Sequence, residues 1–286
     1  MQCMINNLPI YYEEHGRGKP ILCLHGFPEN HRDMKGCFEL FFKNVPGYRR
    51  IYLDMPGMGK SPAADWLKNA DDMLDVLKQF VAKVIGDEGF LLAGFSYGGY
   101  MALGMACDAN MKIDGMFLIG PATVTEYEKR KLPDSKEMYV EEGLKEAIAG
   151  EDADAQEFFF DYFRVATKET WQRFMKEVAP AYMPGEDGAP PAWATEFIKN
   201  YIENGYAFSF ESQLKKLQFS KPITVLTGRL DNSTGYEDPW DLLNHLPYLT
   251  FVVLGGVGHF MQIENPDAFN FHVQEWLRRV STCNNN

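Results

Sequence analysis

The chain has 286 residues, 45% of them hydrophobic and 24% charged, with a formal net charge of −12. This length suits one large α/β domain or a core with an insertion, and the composition excludes global disorder. The acidic balance, with no basic stretch against it, argues against a nucleic-acid partner, and no apolar run reaches membrane-spanning length.

The start, MQCMINNLPIYYEEHG, lacks the basic region and apolar core of a secretory signal. Cys3, Cys23, Cys37, Cys107 and Cys283 are odd in number and show no C-x-x-C spacing. That pattern fits a reducing compartment and no zinc site, so a cytoplasmic enzyme is expected. Cys23 and Cys107 lie in apolar segments and read as packing residues.

Four short apolar runs ending in turn signals, PILCLHG, RRIYLDMPG, GFLLAGFS and KIDGMFLIGP, are the first strand candidates. Between the second and third, Trp66, Ala70, Met73, Leu74, Leu77, Phe80, Val81 and Val84 keep helical spacing, and Gly86 supplies a stop. Tyr100 to Cys107 reads as a further helix. Strands separated by helices imply a parallel sheet with helices on its faces.

The pattern changes after Pro121. From about Ala122 to Phe219 there is no convincing buried strand, only acidic amphipathic helices interrupted at APAYMPGEDGAPPAW. This block is rich in aromatics, among them the FFFDYF run (Phe158 to Phe163), Trp171, Trp193, Tyr201 and Phe208. Alternation resumes with KPITVLTG, a helical stretch around Trp240 to Leu246, the strand LTFVVLGG, and a last helix from Pro266 to Val280. The expected organisation is a core formed by residues 1–121 and 220–286, with 122–219 inserted as a helical cap. No repeat or low-complexity segment occurs beyond the terminal NNN.

LLAGFSYGGYMALGMA, residues 91–106, surrounds Ser96 with Gly94, Gly98 and Gly99, although glycine weakens both strands and helices. The arrangement fits a strand, a tight turn and a helix with the hydroxyl at the apex, which is the physical content of a G-x-S-x-G nucleophile elbow. A serine hydroxyl is a weak nucleophile near neutral pH and needs a base and an orienting acid. LTGRLDNSTGYEDPW follows a strand and offers Asp231, with Asp238 and Asp241 as competitors. VVLGGVGHFMQIENP follows the last strand and offers His259. Ser96, Asp231 and His259 all fall beyond the carboxyl ends of strands, where open α/β sheets place their active sites.

The order Ser, Asp, His, together with LHGFP (Leu24 to Pro28), DMPGMGKS (Asp54 to Ser61), GFSYGG (Gly94 to Gly99), TGRLD (Thr227 to Asp231) and GGVGHFMQIENP (Gly255 to Pro266), resembles the serine branch of the α/β-hydrolase superfamily with a helical cap. The resemblance implies an α/β fold, with a mostly parallel sheet flanked by helices. It implies Ser96 as nucleophile, His259 as base and Asp231 as acid, with the backbone N–H groups of Phe27 and Tyr97 as the oxyanion hole.

The implied activity is hydrolysis of an ester or related acyl bond of a small, largely apolar substrate through an acyl-enzyme, with no metal and no organic cofactor. Ser96 excludes the chemistry of epoxide hydrolases and haloalkane dehalogenases, which need a carboxylate at the elbow. A prolyl-aminopeptidase-like peptidase, a carbon–carbon bond hydrolase and a perhydrolase use the same triad. A low-turnover binding protein of the same fold is the alternative of another class. Oligomeric state is not legible.

His25 reads as fixing its loop and Asp54 as a turn-stabilising carboxylate; His15 and His31, in polar loops, and His245 and His272, on expected helices, read as surface or packing residues. DMPGMGKS ends like a phosphate-binding loop, but Asp54 stands where that motif requires its first glycine, so Lys60 reads as a solvated loop lysine.

Overall fold

A computed structural model describes residues 1–134, 137–183 and 191–284. The middle of the proline- and glycine-rich stretch APAYMPGEDGAPPAW, 184–190, and the last two residues of the terminal asparagine run lie outside them. The chain opens with an antiparallel hairpin, β1 (Gln2–Ile5) and β2 (Leu8–Gly16). Asn6 and Asn7 join the two with φ of 49° and 63°. A two-residue turn with both φ positive suits the twist of a hairpin, and asparagine tolerates it. The sequence reading passes over this hairpin, although the Asn-Asn pair and the buried alternation of Leu8 and Ile10 signal it.

The elements that follow are β3 (Lys19–Leu24), α1 (His31–Phe42), β4 (Tyr48–Leu53), α2 (Ala70–Val84), β5 (Phe90–Phe95), α3 (Tyr97–Ala106) and β6 (Ile113–Ile119). The stretch between β6 and the next core strand contains β7 (Tyr139–Val140), α4 (Leu144–Ile148), α5 (Ala153–Tyr162), β8 (Val165–Ala166), α6 (Lys168–Glu177), α7 (Glu196–Asn204) and α8 (Glu211–Leu214). The chain then returns with β9 (Ile223–Gly228), α9 (Glu237–Trp240), β10 (Leu249–Leu254), α10 (Met261–Glu264) and α11 (Pro266–Asn284).

Eight strands form one sheet in the order β1-β2-β4-β3-β5-β6-β9-β10. Pairing is antiparallel at β1/β2 and β2/β4 and parallel from β4 to β10. All six strands read from the sequence lie in it. Its central strands are buried on both faces, as parallel strands covered by helices must be. Leu22, Leu24, Leu92 and Leu118 pack with Met73, Leu77 and Phe80 of α2 and Met101 of α3. Ile21, Cys23, Leu91 and Phe117 pack on the other face with Phe38 of α1 and Trp276 of α11.

Some boundaries differ from the sequence expectation for local reasons. Helix α2 starts at Ala70 rather than Trp66, because the Asn69 side chain accepts the Asp72 N–H and caps it there. Helix α3 starts at Tyr97 rather than Tyr100, its first turn hidden by two glycines of low helix propensity. The helical stretch near Trp240 divides into α9 and a 3₁₀ turn over Asp241–Asn244. The inserted block does contain strands, but β7 and β8 are two residues each and pair only with each other, too short to leave a period in the sequence. Among the described residues no helix is long and apolar enough to cross a membrane.

A single residue, Ser96, separates β5 from α3. The strand and the helix therefore almost touch, and the glycines permit it. A Cβ on Gly98 would overlap the Leu24 carbonyl oxygen, one on Gly94 the Gly98 carbonyl oxygen, and one on Gly99 would lie 2.7 Å from Pro121 Cβ. Gly98→Ala should consequently lower stability by about 1–3 kcal/mol, the usual range for overpacking a site that cannot yield. Gly255→Ala, where an added Cβ meets nothing within 4 Å, should stay within about 0.5 kcal/mol. Urea denaturation midpoints of the two variants check the contrast.

Candidate active site

Ser96 occupies φ 52°, ψ −114°, a region that costs a non-glycine residue about 1–3 kcal/mol. Surrounding hydrogen bonds enforce it. The Ser96 N–H donates to Ile119 O (2.8 Å), and Ser96 O accepts from the N–H groups of Gly99 (3.0 Å), Tyr100 (3.2 Å) and Ala122 (3.1 Å). Although Ser96 stands at the helix N-cap, its side chain makes no capping hydrogen bond, and among the described residues its hydroxyl has no hydrogen-bond partner, His259 included. Among the described residues the N–H groups of Tyr97 and Phe27 have no acceptor. Two unengaged donors, one of them at a helix N-terminus, suit developing negative charge.

His259 follows β10 and packs against Phe95, the residue before Ser96, with ring centroids 4.8 Å apart. Its Nδ1 lies 2.8 Å from Asp231 Oδ2. Asp231 is fully buried and also accepts from Ser233 N (2.8 Å), Thr234 N (3.0 Å) and Thr234 Oγ1 (2.9 Å). Burial alone would push its carboxyl up, but His259 and these hydrogen bonds outweigh that and hold it below the usual carboxylate range. An ionised Asp231 accepts the hydrogen bond of the His259 Nδ1–H, and in that tautomer Nε2 is the acceptor.

Of the competing carboxylates, Asp238 accepts the Lys131 N–H at 2.9 Å and Asp241 is exposed, so neither meets the histidine. Gly120, at the end of β6, backs the pair. With φ 46°, it would carry a Cβ 3.2 Å from Asp231 Oδ2 and 3.3 Å from the His259 ring.

His25 ties two loops together. Its Nδ1 donates to Gly26 O (2.7 Å) and its Nε2 accepts from Met55 N (2.9 Å), an arrangement that requires the neutral ring. Burial lowers its pKa in keeping with that state. Asp54 fills the turn of DMPGMGKS, accepting from His31 N (2.7 Å), His31 Nδ1 (2.8 Å) and Lys60 N (2.8 Å). The turn is closed around a carboxylate, while the Lys60 ammonium lies over the Tyr11 ring.

His31 is buried as the first residue of α1, not in an open polar loop. His15 lies in β2 rather than in a loop. The sequence reading also overlooks Glu264, a buried carboxylate beside the His259 loop whose only signal was an acid next to the apolar Phe260, Met261 and Ile263.

A family model described as the alpha/beta hydrolase fold matches residues 19–266. The chain belongs to this family. Like the esterases and hydrolases among its relatives, this α/β hydrolase is an enzyme of the hydrolase class. Its structure superposes on an alpha/beta superfamily hydrolase from Oenococcus oeni PSU-1 with a TM-score of 0.84 at 28% identity, covering 98% of this chain and 99% of that one. It is 26% identical over 277 residues to the AB hydrolase superfamily protein YisY of Bacillus subtilis (strain 168), covering 92% of this chain and 93% of that protein. It is 22% identical over 275 residues to a pimeloyl-[acyl-carrier protein] methyl ester esterase of Legionella pneumophila (strain Paris), covering 94% and 99%.

The lowered pKa of Asp231 has a definite consequence for acid stability. A carboxyl depressed on folding contributes stability that is present above its unfolded pKa of about 3.9 and lost as the pH falls through its folded value. Asp231→Asn should therefore show a shallower fall in urea midpoint between pH 5 and pH 2.5 than the unmodified protein. Equal slopes would mean that the Asp231 carboxyl is not depressed by folding.

Proposed function

We propose that the protein is a serine hydrolase that cleaves an ester or related acyl bond of a small, largely apolar substrate through a Ser96–His259–Asp231 triad. The observation that carries this reading is the buried Asp231–His259 hydrogen bond, with the His259 ring packed on Phe95, the residue before a strained serine that makes no capping hydrogen bond. In the first half-reaction Ser96 Oγ attacks the carbonyl carbon while His259 Nε2 takes its proton. The Phe27 and Tyr97 N–H groups receive the oxyanion, and collapse of the tetrahedral adduct expels the alcohol, which takes the proton back from His259. Water, deprotonated by His259, then attacks the acyl carbon and releases the acid and Ser96. Asp231 holds the imidazole in the tautomer both halves require.

The ester preference is supported by the relative named as a methyl ester esterase. The apolar preference is supported by the rings around the candidate oxyanion donors. Phe27 stacks on Tyr201 (5.7 Å) and meets Tyr97 (5.4 Å) and Tyr206 (5.2 Å) edge-on. Tyr201 and Tyr206 belong to segment 122–219, which this reading takes as a cap over the site, carried on a core of residues 1–121 and 220–286.

A fluorophosphonate probe should label Ser96 and no other serine, as mapped by mass spectrometry. Ser96→Ala should abolish labelling and reduce hydrolysis of p-nitrophenyl esters by about three to six orders of magnitude. Full esterase activity in that variant would overturn the assignment. A panel of p-nitrophenyl esters and aminoacyl amides reads the bond preference; faster turnover of the amides would favour a peptidase on the same triad. Replacing segment 122–219 with the equivalent segment of a relative should change acyl-chain preference and leave the sheet folded, as read by the ester panel and circular dichroism. Collapse of the fold would make the segment integral to the core.

A further inference from the structure

Glu264 ends α10 and is 7% exposed, yet the partners of its carboxylate are main-chain N–H groups. Oε2 accepts from Gly258 (3.0 Å), Arg164 (2.8 Å) and Val165 (2.9 Å), and Oε1 shares the Gly258 N–H at 3.0 Å. Gly258 directly precedes His259. Arg164 and Val165 lead into β8, inside the segment between β6 and β9. One buried side chain thus joins the main chain of the base loop to the main chain of the inserted segment.

The junction is tight in other respects. A Cβ on Gly258 would lie 2.6 Å from Tyr162 O, and Phe260 stacks on Phe163 with centroids 4.8 Å apart. Arg173 of α6 donates to Gln262 O at 3.0 Å. The loop joins β10 to α10; Leu230 N–H holds its first half through Val257 O at 3.0 Å, and the contacts above hold its second half.

We propose that Glu264 is a positioning residue for His259, fixing the base loop to the inserted segment so that the seating of that segment sets the direction of the imidazole. The inference rests on His259 being the base of the proposed triad. Glu264 does this best as a carboxylate, because protonation removes the charge that draws the three N–H groups and, at Oε1, sets an O–H against the shared Gly258 N–H. Burial pushes the Glu264 carboxyl up to about 7, against the opposing pull of the three N–H groups and Arg164. The charged and titratable groups around it are Arg164 just before β8, His259 on the loop, and the Arg173–Glu177 pair of α6. Arg164 directs its guanidinium to the carbonyls of Phe160, Asp161 and Phe163, and Arg173 is held by Glu177 at 2.8 Å. The clamp should therefore loosen as the pH falls through neutrality.

Glu264→Gln tests this, since it keeps the shape, removes the charge and sets an NH₂ group against the Gly258 N–H that Oε1 shares. With p-nitrophenyl acetate, kcat should fall about ten- to a hundredfold, the scale of a misplaced catalytic group, with KM within about twofold. Fluorophosphonate labelling of Ser96 should slow by the same factor. The acidic limb of log kcat against pH should become shallower than in the unmodified protein, because one of the groups that must be deprotonated is gone. Glu264→Asp, which retains the charge, should recover the steep limb and part of the rate.

Wild-type kcat in Glu264→Gln, or a lower kcat with an unchanged limb, would overturn the proposal. Should the glutamine variant fail to fold, amide hydrogen exchange in the unmodified protein decides. Corrected for intrinsic exchange, Gly258 and Val165 should gain protection together as the pH rises from 6 to 8; independent behaviour of the two would overturn the clamp. This measurement needs no turnover, so it separates failure of the clamp from failure of the triad.

Discussion

The structure depends on one close approach, that of helix α3 to strands β3 and β5. The strand enters the helix through a single residue, and the helix backbone lies against the Leu24 carbonyl with no room for a Cβ at Gly98. That constraint forces the unusual dihedrals onto Ser96 itself rather than onto a glycine. Gly94, Gly98 and Gly99 are outside the positive-φ region; they are small because their neighbours are close, not because their own backbone is strained. The helix N-terminus is thereby brought to the carboxyl edge of the sheet with the Tyr97 N–H unengaged. The Phe27 N–H approaches from the loop after β3, which His25 ties to the loop after β4.

A second regularity is the use of buried carboxylates to organise loops at that edge. Asp54 gathers the N–H groups of His31 and Lys60, Asp231 those of Ser233 and Thr234, and Glu264 those of Gly258, Arg164 and Val165. An unpaired main-chain N–H in a dry environment costs about 1–3 kcal/mol, and a carboxylate can accept several at once. Irregular loops can therefore be fixed without secondary structure. Histidine partners hold Asp54 and Asp231 in the charged form. Glu264 has the Arg164 guanidinium nearby but no ion pair among the described residues, which leaves its carboxyl high. The three differ in electrostatics while sharing a geometry.

The segment between β6 and β9 is joined to the site from two sides. On one, Tyr201 and Tyr206 pack around Phe27 and Tyr97, and Tyr97 Oη lies 2.8 Å from Tyr201 Oη. On the other, the main chain at Arg164 and Val165 shares Glu264 with the His259 loop. Many of its aromatics serve packing: Phe159, Phe163, Trp171 and Phe174 form a cluster with Phe260 on the α1 and α11 face of the sheet. Aromatic content there is therefore a poor guide to which rings face a substrate.

The amino-acid sequence by itself determined the six parallel strands, helices α2, α3 and α11 and the placement of Ser96, Asp231 and His259 after strand ends, but not α1, whose pattern the sequence reading passes over. Each of those features is written in local periodicity, turn chemistry or a short motif. It also carried the signal for the β1–β2 hairpin, in Asn6 and Asn7. Tertiary structure alone decided which acid meets His259, because Asp231 and Asp238 share one loop. Their fates diverge only when β9 and β10 lie side by side, turning Asp231 inward and leaving Asp238 to the Lys131 N–H. The role of Glu264 is likewise invisible in the chain, since the residues it joins lie about a hundred positions apart and meet only through the packing of α5, β8 and α10. Local patterns report what neighbours in sequence can do; a buried charge is defined by what folding brings around it.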